Sequence, residues 1–165
     1  MTLAEAFITE FHHEAQGTRR LLERLPEDKL SFKPHPKSMS LGGLATHVAH
    51  IPDWIGTVVN DSIFDMGIVE GRTAERKSRR EVLDYFEKNA KDFGETLAGK
   101  SDEHLRETWT LKNKGAHVLT LPRVACIRSF ILSHIIHHRG QLTVYLRMND
   151  VPLPAIYGPS ADEGM

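Results

Sequence analysis

The chain is poor in the residues that staple a fold or anchor it elsewhere. It has one cysteine in 165 residues, Cys126. That excludes an internal disulfide and any multi-cysteine metal site. It suits a reducing compartment, so a cytoplasmic location is expected. There is no surplus of either charge: 21 Lys and Arg stand against 22 Asp and Glu, a formal net charge of −1. Neither a nucleic-acid backbone nor an anionic membrane surface is therefore an expected partner. No apolar run approaches the roughly 20 residues of a membrane span. The opening "MTLAEAFITEF" has no basic n-region and carries Glu5 and Glu10, so it does not read as a signal peptide. Gly-x-Ser-x-Gly, the P-loop and Gly-x-Gly-x-x-Gly are all missing, which removes the commonest hydrolase and nucleotide signatures.

With 40% hydrophobic and 26% charged residues, residues 1–165 read as a single globular domain that can bury a core without staples. Thr2-x-x-Glu5 is a capping box. Behind it, Leu3, Phe7, Phe11, Thr18, Leu21, Leu22 and Leu25 form one helical stripe that Pro26 ends. A second helix starts at Ser38 or Ser40 and runs to about Asn60, kinked at Pro52. A polar loop with Gly67 and Gly71 follows. Ser78-x-x-Glu81 opens a third helix with Val82, Phe86, Ala90, Phe93 and Leu97 on one face. "ETWTLKNKGAHVLTL" then has short β-like runs around an Asn-Lys-Gly turn. Pro122 suits the first turn of a fourth helix that continues to about Asn149. The fold class expected is all-α: a four-helix bundle whose long helix 3–helix 4 connection holds a small β-hairpin or an extended loop.

Histidine is over-supplied, with ten residues, and its placement is the informative feature. On a uniform α-helical wheel centred on Ile127, the residues Phe130, Ile131, His134, His138, Gln141 and Tyr145 share the apolar face. His137 falls near its margin. His134 and His138 are i and i+4, the spacing by which one helix offers two nitrogens to a metal. His47 sits on the apolar stripe of helix 2 with Gly43, Leu44, Ile51, Trp54 and Val58, while His50 lies at the edge. Two helices aiming histidine at one core is how metal sites are built in bundles. The plainer reading is hydrogen-bonded core histidines. The zincin motif is absent, since Ile135 and not Glu follows His134.

These residues carry a resemblance. "LATHVAHIPDW", followed much later by "SHIIHHRGQLTVYLRMNDVPLPAIYGPSADE", is similar to the DinB-like (damage-inducible, YfiT-like) metal-dependent family over essentially the whole chain. The resemblance implies an up-down four-helix bundle, a homodimer, and one divalent ion, nickel or zinc, held by His47, His134 and His138. Characterised members are thiol S-transferases using bacillithiol, or isomerases and transferases using mycothiol. The expected function is thus a metal-dependent transferase that activates a low-molecular-weight thiol for transfer to a small electrophile. A metal-dependent hydrolase and a non-catalytic metal-binding stress protein are the alternatives.

Other residues carry paired readings. Glu14 lies within the helix 1 stripe, where an unpaired carboxylate is costly. It either orients a ligand imidazole, accepts a proton, or reaches solvent from the stripe's edge. Gln141 and Tyr145 either line a pocket or form a polar end to the core. Tyr157 is a candidate to fold over the site from the tail. Cys126 reads as a small buried hydrophobe rather than a nucleophile. His12, His13, Arg139 and the cluster "RKSRR" at 76–80 read as solvated. Ala125, Ser129, Leu132, Ile136, Gly140 and Thr143 form a second face on helix 4. That face suits a partner chain in an isologous homodimer, or packing against the hairpin segment.

Overall fold

The computed structural model of the chain describes residues 1–67 and 74–164; Gly71 of the expected polar loop lies outside them. The first helix, α1 (Leu3–Leu22), begins at a full capping box. The Thr2 hydroxyl accepts from the Glu5 backbone N–H, and the Glu5 carboxylate accepts from the Thr2 N–H at 2.7 Å. Its buried stripe is Phe7, Phe11, Glu14, Thr18, Leu21 and Leu22. Ser40 caps α2 (Leu41–His50), accepting from Gly43 N at 2.9 Å. At Pro52, which has no N–H to continue the ladder, the helix tightens into a 3₁₀ turn over Ile51–Asp53 before resuming as α3 (Trp54–Asn60). Ser78 caps α4 (Arg79–Leu97), but Glu81 accepts from the Lys77 N–H rather than closing the box on Ser78. A short helix, α5 (Asp102–Arg106), follows.

The structure is mostly helical but not purely so, which corrects the all-α expectation. The connection before the last helix forms β2 (Thr108–Asn113) and β3 (Ala116–Pro122), an antiparallel hairpin. Its turn places Lys114 and Gly115 at φ 50° and 80°, the left-handed pair that a two-residue hairpin requires. A third strand, β1 (Ile63–Asp65), pairs in parallel with β2, giving the sheet order β1-β2-β3. The Asp65 carboxylate explains the docking: it accepts from the backbone N–H groups of Gly67, Lys114 and Gly115. A single Asp in a polar loop carried no strand signal.

The last helix is continuous but changes its winding. It runs as α6 (Arg123–Cys126), a π-helical stretch over Ile127–Ser133, and α7 (His134–Arg147). The wider π turn delays the helical phase. One extra residue corresponds to about 100° at 3.6 residues per turn. A uniform α period therefore misplaces the face of α7. Its buried residues are Ile135, Arg139, Leu142 and Leu146, in line with Ile127 and Ile131. His134, His138 and Tyr145 are only half-buried beside that face, and Gln141 is exposed. On the second face Leu132 is buried, Ala125, Ile136 and Thr143 are half-buried, and Ser129 and Gly140 are exposed.

Helices α1 and α2 each pack against both α4 and α7, closing a four-membered ring around one apolar core. The tail after α7 is held on α1 and α7 through Arg20–Glu163 and Arg147–Asp162 ion pairs. Among the described residues no helix is long and apolar enough to cross a membrane.

Candidate metal centre

α2 and α7 are neighbours in the ring, and their histidines meet across it. His47 Nε2 lies 3.3 Å from His134 Nε2, and His138 Nε2 lies 2.9 Å from the same atom. One ring nitrogen from each of the three falls within 4.8 Å of the others, a grouping that could hold a metal ion. The outward nitrogens favour one tautomer. His134 Nδ1 is 3.2 Å from the Phe130 carbonyl, and His138 Nδ1 is 2.7 Å from Gln141 Oε1. The Phe130 carbonyl and, as placed, Gln141 Oε1 are acceptors, which favours the proton on each Nδ1 and leaves each Nε2 lone pair facing inward. That is the arrangement in which metal-binding histidines are oriented by their second nitrogen. Lone pairs converging at these distances repel one another, and a cation between them relieves that repulsion. The donor set thus fits a divalent metal.

Electrostatics point the same way. Burial, then the neighbouring rings of His138, His134 and His50, lower the His47 pKa to about 4. Burial also leads the lowering at His134 and His138, against the bonds to Phe130 and Gln141, which raise it. Protons on these rings are disfavoured, and neutral imidazole is the form that ligates.

His47 lies on the wall of a cleft of about 1520 Å³, with Trp54, Phe64 and Met66 among its apolar lining and Lys33, Lys37 and Asp53 among its polar lining. Trp54 stands edge-on to Phe64 at 5.5 Å and beside Phe130 at 6.4 Å. His50 also lines the cleft, with Nδ1 2.7 Å from the Tyr85 hydroxyl on α4. A smaller groove of about 610 Å³ runs between α1 and α4 over Phe11, Ala15, Phe86 and Ala90, and none of the three histidines lines it.

The remaining sequence candidates separate. Gln141 touches the site, as the partner of His138. Tyr145 donates to the Met39 carbonyl at 3.4 Å, bracing the segment that walls the cleft. Glu14 does not reach an imidazole. It is 6% exposed and its carboxylate accepts from Arg139 Nη2 at 2.6 Å and from the Tyr157 hydroxyl at 2.7 Å. Tyr157 accordingly covers this ion pair, not the histidines. Arg139 is not solvated as expected but 2% exposed. Sequence reasoning missed it, although a carboxylate within the α1 stripe was a signal that some cation must be buried beside it. Cys126 is buried and its thiol is pushed up to about 11 by burial, so it remains protonated. Arg76, from the basic cluster, lies over the Tyr85 ring at 4.1 Å. His12, His13 and His137 are exposed.

A mostly helical bundle whose neighbouring helices converge three histidines beside an open cleft defines a candidate metal-binding protein. The chain belongs to the DinB family, whose model matches residues 1–164. It is 24% identical over 157 residues to the uncharacterized protein YrdA of Bacillus subtilis (strain 168), covering 95% of this chain and 89% of that one. Among solved structures it is similar to a DinB-like protein from Bacillus cereus ATCC 10987, with a TM-score of 0.72 and 24% identity, over 93% of this chain and 97% of that one. It is also similar to the DinB-like protein YjoA of Bacillus subtilis, with a TM-score of 0.65 and 21% identity, over 90% and 95%. At these identities the two structures support the fold.

Proposed function

We propose that this protein is a divalent-metal-dependent transferase that activates a low-molecular-weight thiol for transfer to a small electrophile. The observation that carries the reading is the inward convergence of the Nε2 atoms of His47, His134 and His138 at the edge of an open cleft. His47, His134 and His138 would hold a nickel or zinc ion, which would supply a Lewis acid able to lower the pKa of a bound thiol toward neutral pH. Phe130 and Gln141 keep His134 and His138 in the ligating tautomer. Trp54 and Phe64 give the cleft a dry wall, which strengthens electrostatic pull on the thiol proton. The thiol proton passes to solvent and sulfur forms a bond to carbon of the electrophile; the displaced electron pair either departs with the leaving group as an anion or, in an addition, takes a proton from solvent on the adjacent atom.

The assembly belonging to this reading is a homodimer in the cytoplasm. Exposed Ser129 and Gly140 on the second face of the last helix support the first, and the single cysteine supports the second. Sedimentation at micromolar concentration checks the dimer; a monomer alone refutes it.

The activity is tested by offering the metal-loaded protein bacillithiol, mycothiol, glutathione and coenzyme A with a chromogenic electrophile. Turnover is expected with one thiol, is expected to need metal, and is lost in His138→Ala. Faster thiol-independent hydrolysis of an ester or amide selects the hydrolase. Stoichiometric metal without turnover selects the binding protein.

A further inference from the structure

We infer that Arg139 is a positioning residue for the three-histidine site: with Glu14, Thr18 and Tyr157 it sets the rotation and register of α7 that bring His134 and His138 onto His47, and the C-terminal segment latches that setting through Tyr157. The inference rests on the metal reading above. Arg139 follows His138 directly, yet points away from the cleft into the contact with α1. Both terminal nitrogens of its guanidinium are engaged there. Nη1 donates to the Glu14 carbonyl at 2.9 Å and to Thr18 Oγ1 at 3.2 Å, and Nη2 donates to Glu14 Oε2 and the Tyr157 hydroxyl, both at 2.6 Å. Tyr157 in turn donates to Glu14 Oε2. Two nitrogens thus hold four acceptor atoms on two other segments, a geometry that admits one helix rotation and one axial position.

Three further observations converge on this contact. Gly17 lies in it: a Cβ there would stand 3.1 Å from Ile156 Cγ2 and 3.4 Å from Arg139 Nη1, so α1 carries a gap shaped for the guanidinium and the tail. Tyr157 is 64% exposed, so its ring adds little core. What it contributes is the hydroxyl that completes the network. The π-helical stretch Ile127–Ser133 ends one residue before His134, so the phase of α7 is not inherited from a regular helix and needs a separate determinant.

Stability alone is a poor reason for this arrangement. Desolvating two charges costs about as much as their attraction returns, and apolar replacements often stabilise more. Registry is the better attested use of a buried pair. Here the registry is between α1, which supplies no histidine to the site, and α7, which supplies two.

Cobalt(II) is the probe, read by chelator competition for affinity and by its ligand-field absorption for geometry. The variants are Arg139→Lys, Arg139→Met and Tyr157→Phe. The control is Phe86→Leu, a core change on α4, with binding compared at equal distance below each melting temperature. We expect Arg139→Met to weaken cobalt binding by about tenfold or more, in the range known for groups that orient metal ligands, and to change the absorption intensity. Arg139→Lys is expected to recover part of both, and Tyr157→Phe to shift both in the same direction by less. Phe86→Leu is expected to bind as wild type. Should the Arg139 variants fail to fold, Tyr157→Phe, which removes one hydroxyl from an exposed ring, decides. Folded variants with wild-type affinity and spectrum overturn this inference alone. A wild-type protein that binds no cobalt overturns the metal reading and this inference with it.

Discussion

His138 and Arg139 are adjacent in the chain and sit in opposite electrostatic settings. On one side of α7, burial lowers the pKa of His134 and His138, and their ring nitrogens face each other and His47. On the core side, the buried guanidinium of Arg139 is paired with the Glu14 carboxylate at 2.6 Å. Both sides are desolvated to a degree. The difference is the partner: the guanidinium meets a carboxylate, whereas each imidazole meets other imidazoles, which disfavour its charged form. One side of the helix is therefore paired within the chain, and the other presents three ring nitrogens that could hold a metal ion.

The largest effect is expected from removing a donor on the open side. Replacing His47, His134 or His138 by Ala should abolish stoichiometric metal in elemental analysis. His137→Ala and His50→Ala should keep it, because His137 is exposed and His50 bonds Tyr85 instead. Wild-type occupancy in His134→Ala would erase the contrast between the two sides.

Next in size is the closed side. Glu14→Ala leaves the Arg139 charge buried without its carboxylate, which should cost about 3–5 kcal/mol. For a domain of this length that is a fall in melting temperature of roughly 10 °C. Combining it with Arg139→Met should return most of that loss, as for other buried pairs replaced by apolar groups. Urea unfolding of the single and double variants checks both. A double variant as unstable as the single would mean that the pair does more than neutralise itself.

Acid should separate the sides without mutation. His47 titrates at about 4 in the folded protein against 6.5 for the free side chain, so the unfolded chain binds more protons between those values. Stability therefore falls as pH drops below about 6.5, and the loss levels off near 4. Bound metal should leave over the same window, since protons compete for the same lone pairs. Metal release and unfolding followed together against pH test this, and metal retained at pH 4 would contradict it.

A smaller effect is expected at Gln141. Its amide oxygen orients His138, and Gln141→Ala should weaken metal binding about tenfold with little change in melting temperature, because the residue is exposed. The smallest stability effect is at the rim of the closed side. Tyr157→Phe removes one hydroxyl and should cost about 1 kcal/mol. A loss as large as that of Glu14→Ala would make the tail part of the core rather than a latch.

Much of the scaffold was legible because it depends on local chemistry. Thr2, Ser40 and Ser78 announce helix starts through hydroxyls that reach backbone N–H groups three residues on. Pro52 announces a break by lacking a donor, and Gly115 announces a hairpin turn by taking a φ of 80° that most side chains avoid. The spacing of His134 and His138 was enough to place them on one side of one helix. It was not enough to place that side. A period of 3.6 put both histidines and Tyr145 at the centre of the core, and Arg139 in water.

By itself the sequence determined where the long helices begin, which residues could ligate a metal, and that a carboxylate lay within the α1 stripe, but not the short helix α5 nor whether Glu14 was paired. Tertiary structure decided the rest. It wound Ile127–Ser133 as a π-helix, a choice with no proline or glycine to signal it, since an i→i−5 ladder pairs the same backbone groups as an i→i−4 ladder and differs in how the helix packs. That winding turned Arg139 inward to Glu14 and His134 and His138 outward to His47. It also docked β1 on β2 through Asp65, a contact between segments far apart in the chain. Local propensity follows from neighbours within a few residues, whereas the facing of a helix and the partner of a buried charge depend on groups that only the folded chain brings together.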